Sequence, residues 1–179
     1  MVEVLRMVAD WLNGDTVDHT GASQSVGTHL AAMSFDGSDT APATPTAADA
    51  TRDPNVARDD YPLTVPALAV TLEDWVIDAA TMTTNEQRGT CAVLVRYLAE
   101  TTASANAVRD GLYVMRAVRR SLERLHRAGE ETNGRRRNGV AIYADADQPM
   151  RLVKVAARRE DTDVTTGWLV TYRVHELDV

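Results

Sequence analysis

Apolar residues recur along this chain with more than one period, and each period predicts an element. At Val2, Leu5, Val8, Ala9 and Leu12 the spacing is helical, and Asn13-Gly14 marks a stop because both residues tolerate a left-handed C-cap. A helix this short is marginal alone, so its stripe is expected to dock on the body of the protein. Gly14 to Asp60 breaks the pattern. It is rich in Asp, Thr, Ala, Ser and Gly and holds Pro42, Pro45 and Pro54; only Val26 to Phe35 has enough apolar residues for a strand or short helix. The expectation is an extended acidic loop or arm. It is either a mobile surface insertion, as its composition suggests, or a segment that orders against a neighbouring subunit.

From Leu63 to Thr71 the period becomes two, with Leu68, Val70 and Leu72 on one face of a predicted strand. Pro62 and Pro66 withhold donors, so its beginning is expected at a sheet edge. Trp75-Val76-Ile77 continues the strand after a bend, and Thr83 to Glu86 is a turn. Thr90 to Leu98, apolar on both faces, is a central covered strand.

The clearest periodicity runs from Ala103 to Gly129. Val108, Leu112, Met115, Val118, Leu122 and Leu125 form a core-facing stripe, and Arg109, Arg116, Arg120, Glu123 and Arg127 occupy the other side. Ser104 is the expected cap and Gly129 the terminator. A helix of this length is a rod of roughly 40 Å, enough to cross a whole sheet. Thr132 to Asn138, with Arg135-Arg136-Arg137, reads as a basic turn, and Val140 to Ala144 as a short strand. Met150–Arg158 and Thr166–Glu176 follow as a pair of strands, the second alternating Trp168, Val170, Tyr172 and Val174 with Gly167, Leu169, Thr171 and Arg173. The predicted fold class is α+β: a mixed, mainly antiparallel β-sheet with one long amphipathic helix packed on one face and a short N-terminal helix. Residues 1–179 are expected to form a single domain, with 14–60 as its acidic loop or arm.

Composition adds charge to this picture. The net charge of −7 argues against coating nucleic acid. Its distribution is uneven: residues 1–102 carry 15 acids and 5 bases, a net of −10, and residues 103–179 carry 11 acids and 14 bases, a net of +3. Lys154 is the only lysine and Asp outnumbers Glu, which fits either a GC-rich genome or adaptation to high salt. There is no apolar run of the ~20 residues that span a bilayer. The start, Met1-Val2-Glu3-Val4, lacks the basic and apolar regions of a signal peptide, so a soluble, intracellularly made protein is expected.

Candidate chemistry is sparse. Cys91 lies in the apolar run Cys91-Ala92-Val93-Leu94-Val95, where a thiol behaves as a small hydrophobe. Around Ser23 and Ser25 the chain superficially resembles a nucleophile elbow, but neither serine has Gly at both −2 and +2. His19, His29, His126 and His175 are scattered without metal-site spacing. Asp145/Asp147 and Asp161/Asp163 each supply half a calcium loop and are better explained as turns. No phosphate-binding loop occurs. The expectation is a non-enzymatic protein without cofactor or metal.

What remains is arginine. Arg116, Arg120, Arg135, Arg136 and Arg137 are the candidate partner-binding residues, for a second subunit or a neighbouring ring. They read either as a solvated face with local pairing or as a complement to the acidic half of a neighbouring copy. A nucleic-acid reading lacks the aromatic interleaving it needs.

The order of these elements is similar to that of the tail terminator (tail completion) proteins of long-tailed phages and related tailed viruses. The resemblance is carried by the Val2–Leu12 helix and by Tyr61–Val179: a strand opening on Pro66-Ala67-Leu68-Ala69-Val70, a second strand, a long amphipathic helix and a final long hairpin. It implies a structural virion protein, made in the host cytoplasm, that forms a homohexameric ring at the head-proximal end of the tail tube. Such a ring ends tube polymerisation and joins tail to neck. Its partners would be its own copies, the tail tube protein and a head-completion or connector protein. Genome DNA would be only passing cargo in the lumen, and no membrane is involved. Another neck protein, such as a head–tail connector or head-completion subunit, is the nearer alternative; a small α+β enzyme or ligand-binding domain is the distant one.

Overall fold

The N-terminal helical spacing becomes α1, Val2–Asn13, in a computed structural model that describes residues 2–18, 20–37, 40–49, 66–77, 86–98, 107–131, 135–137, 140–144, 151–154 and 166–177. Helix α1 ends as predicted. Gly14 takes φ +88, and its N–H donates to the Asp10 carbonyl at 3.0 Å. Val4, Leu5, Met7, Val8, Ala9, Trp11 and Leu12 are buried, a wider band than the predicted stripe, while Val2 is exposed. The band is wide because α1 meets both the sheet and the long helix.

The segment after α1 carries elements of its own. Helix α2 (Val26–Ala31) starts at Ser25, whose hydroxyl accepts the Thr28 N–H at 3.1 Å. Strand β1 (Thr46–Asp49) follows, and Val26, Leu30, Pro42, Pro45 and Ala47 are buried. Within the expected loop or arm, α2 and β1 therefore pack on the body, while most described residues between them are exposed. Residues 50–60 lie outside the described part.

Strands β2 (Ala67–Ile77) and β3 (Glu86–Leu98) form an antiparallel pair, followed by helix α3 (Ala107–Glu131). Then come β4 (Arg135–Arg137), β5 (Val140–Ala144), β6 (Arg151–Lys154) and β7 (Thr166–Leu177). The sheet order is β1-β2-β3-β7-β5-β4, with β6 paired to β7. β5 takes Tyr172–Glu176 of β7 and β6 takes Thr166–Leu169, while β3 pairs with the whole of β7. β5 and β6 thus lie end to end along one margin of β7. Among the described residues only β1 with β2 is parallel, and every other pair is antiparallel. The fold is α+β.

Helices α1 and α3 share one face of this sheet. Leu68, Val70, Cys91, Val93, Val95, Tyr97, Val140 and Ile142 join Leu12, Val118 and Leu122 in one core. Burying a side chain such as Leu122 fully stabilises the fold by roughly 1.5–3 kcal/mol. Gly111 of α3 faces Tyr97 of β3, where an added Cβ would make van der Waals contact with the ring at 3.4 Å.

Several details differ from the sequence expectations. Met115, Val118, Leu122 and Leu125 of the α3 stripe are buried, but Leu112 is 61% exposed, and Gly111, Val114, Ala117 and Ser121 widen the buried face. Small residues carry that part of the contact, which a hydrophobicity pattern overlooks. Gly129 lies within α3, which runs to Glu131, and Ser104 lies outside the described residues. The start of β2 is not at an edge, because β1 covers Ala67–Val70. Among the described residues no strand covers the outer side of its later half, and a bulge between Leu72 and Asp74 supplies the predicted bend. The bulge reverses which parity faces the core, so Val70 before it and Trp75 after it both pack there; Leu72, opposite Val93 just before the bulge, is 37% exposed. Strand β3 sits between β2 and β7, as its two-sided apolar run predicts.

Candidate interaction surfaces

The predicted arginines fall on two elements. Arg116 is exposed on α3, on the same side as Arg119, which pairs with Glu123 one turn on at 2.7 Å. Leu112 lies one turn before Arg116 and adds an exposed apolar side chain to that face. Arg120, one turn after Arg116, is half-buried, and its charge acts on His29 of α2. Arg135, Arg136 and Arg137 are not a turn. They form strand β4, the last in the sheet order among the described residues, in register with Ile142, Ala141 and Val140 of β5. A run of three charges misleads a turn assignment, because an edge strand tolerates charge that a central strand would not.

Helix α2 explains why Arg120 is not a free surface group. His29, in its last turn, has a buried Nε2 with no hydrogen-bond partner. Burial holds its pKa below the usual histidine value, and the charges of Arg120 and Arg124 add to that effect. The neutral imidazole is therefore the form that fits between α2 and α3.

The junction of α1, α2 and α3 is fixed by one serine. The Trp11 indole N–H donates to the Ser121 carbonyl at 2.8 Å, and the Ser121 hydroxyl donates to the Gln24 carbonyl at 2.6 Å. Ser121 is fully buried, and both partners lie about a hundred residues away in sequence. Ahead of α2, the Asp18 carboxylate accepts from the Thr20 hydroxyl and the Thr20 and Ala22 N–H groups through Oδ1, and from the Gln24 side chain through Oδ2. These bonds, led by that of the Thr20 hydroxyl, hold its carboxyl well below the usual carboxylate range.

A second surface was not legible as such in the sequence. β1 stops opposite Val70, and beyond it β2 exposes Leu72, Glu73, Asp74 and Val76. Arg96 is the base near Glu73, at 3.5 Å, and Asp74 Oδ1 accepts the Trp75 N–H at 2.8 Å. Consecutive acids inside an otherwise apolar strand were the available signal.

Cys91 is buried, and burial pushes its thiol up to about 12, so it is a protonated core group at neutral pH. Among the described residues no group of three or more His, Cys, Asp or Glu is placed to hold a metal ion, and no helix is long and apolar enough to cross a membrane. The calcium-like pairs Asp145/Asp147 and Asp161/Asp163 lie outside the described residues. Compared with known proteins, the chain matches no protein-family model, and no curated protein matches it.

Proposed function

We propose that this chain is a structural virion subunit that forms a ring at the head-proximal end of a viral tail tube, ending its polymerisation and joining tail to neck. The reading rests on the element order behind the resemblance. The observation that supports it most is that these elements build one sheet, with both longer helices on a single face and a charged strand at each margin. A subunit of a ring needs two different surfaces, one for each neighbour, and this arrangement provides them. The exposed arginine side of α3, with Arg116 and Arg119, is a third surface suited to an unlike ring above or below.

In this reading the partners are other copies of the chain, the tail tube protein and a head-completion or connector protein, and DNA is passing cargo. Virus particles made without the protein test it. Tails of uncontrolled, excessive length are expected. Tubes of normal length beside leaking heads would instead assign the chain to a connector role, and normal particles would overturn a virion role.

A further inference from the structure

The two margins of the sheet carry opposite charge. At one end β4 consists of Arg135, Arg136 and Arg137 and, among the described residues, pairs only with β5. At the other, Thr71–Ile77 of β2 pairs inward with β3, and among the described residues no strand covers its outer side. Glu73 and Asp74 are exposed there, and Val76 is 55% exposed.

An unpaired strand edge is a template for another strand, and charge is a common means of restricting which strand can pair with it. Here the charges discriminate. Two copies meeting β2 to β2 would set acids against acids, and two meeting β4 to β4 would set arginines against arginines. Only β4 against β2 brings opposite charges together. That contact uses different surfaces on the two copies, so it is head-to-tail and can close into a ring.

We infer that β4 of one copy docks on the Thr71–Ile77 edge of the next, the Arg135–Arg137 strand lying against Glu73 and Asp74, with Leu72 and Val76 covered in the joint. The inference rests on the ring reading above and names the subunit contact that reading requires. It adds backbone pairing to charge, which fixes direction as well as partner.

The test compares the full chain with two charge-reversed forms, E73R/D74R and R135E/R136E/R137E, by sedimentation and negative-stain imaging. Wild type should form rings. Each variant alone should lose them, because its two edges then carry the same sign. An equimolar mixture should recover rings, since alternating copies restore opposite charges at every joint. Rings retained by both variants alone would overturn the edge contact and leave the ring reading standing. A wild type that stays monomeric at high concentration would overturn both.

Hydrogen exchange on the wild type covers the case of a variant that fails to fold. Amides of Thr71–Ile77 and Arg135–Arg137 should exchange more slowly in rings than in diluted monomers. Equal exchange in the two states would refute the contact.

Discussion

The side-chain amide of Asn13 pairs with the peptide of Ala47 in both directions. Nδ2 donates to the Ala47 carbonyl at 2.9 Å, and the Ala47 N–H donates to Oδ1 at 2.8 Å. One asparagine thus imitates a neighbouring strand on the outer side of β1 and ties the end of α1 to it. Asn13→Ala should destabilise the protein by about 1–3 kcal/mol, two lost hydrogen bonds at the usual net value. Urea unfolding would measure it, and Asn13→Asp should also be destabilising because it loses the donor.

Two glycines should respond to alanine with opposite sign. At Gly14, φ is +88 and a Cβ would lie 2.7 Å from the Ser23 hydroxyl oxygen, so Gly14→Ala should cost about 1–2 kcal/mol or more. Gly111 sits inside α3, where a Cβ would make ordinary contact with Tyr97 at 3.4 Å. Gly111→Ala should gain up to about 1 kcal/mol from helix propensity. Thermal melts of the two variants should move in opposite directions.

The α2–α3 contact should weaken in acid. His29 is held neutral by burial and by Arg120 and Arg124, so its folded pKa lies below the unfolded value of 6.5. The stabilisation is fully present above that unfolded value and is lost as pH falls through the folded one. Between pH 8 and pH 5 the wild type should therefore lose more stability than His29→Gln. Parallel pH profiles for the two proteins would count against this account of the histidine.

Cys91 should resist thiol reagents. With its thiol pushed up to about 12 and its side chain covered, labelling near pH 8 should be slow in the folded protein and rapid once denaturant is added. Rapid labelling of the native state would mean that the Cys91 region opens readily.

Elements with a strong period were legible in the sequence. Helix α1 with its Gly14 stop, the two-sided apolar strand β3 and the long helix α3 all follow from spacing alone. Features set by distant contacts were not. Ser121 is a polar residue in a helix, and nothing local says that it would bind Trp11 and Gln24. Leu112 fits the apolar stripe as well as Met115 does, yet Leu112 is exposed and its neighbour Gly111 is the residue that faces Tyr97. The Thr46–Asp49 strand has too few apolar residues to signal itself, because its pairing with β2 and the Asn13 amide supply what its side chains lack. For the candidate surfaces, Arg116 was legible as exposed. The acidic edge was not, because the bulge at Glu73 changes which residues of β2 face outward.

The most direct test of the central claim is negative-stain electron microscopy of the purified full chain across a range of concentrations. The account predicts closed rings with a central lumen, built from copies of this one chain. A population that remains monomeric at every concentration, or that stops at symmetric dimers, would contradict it.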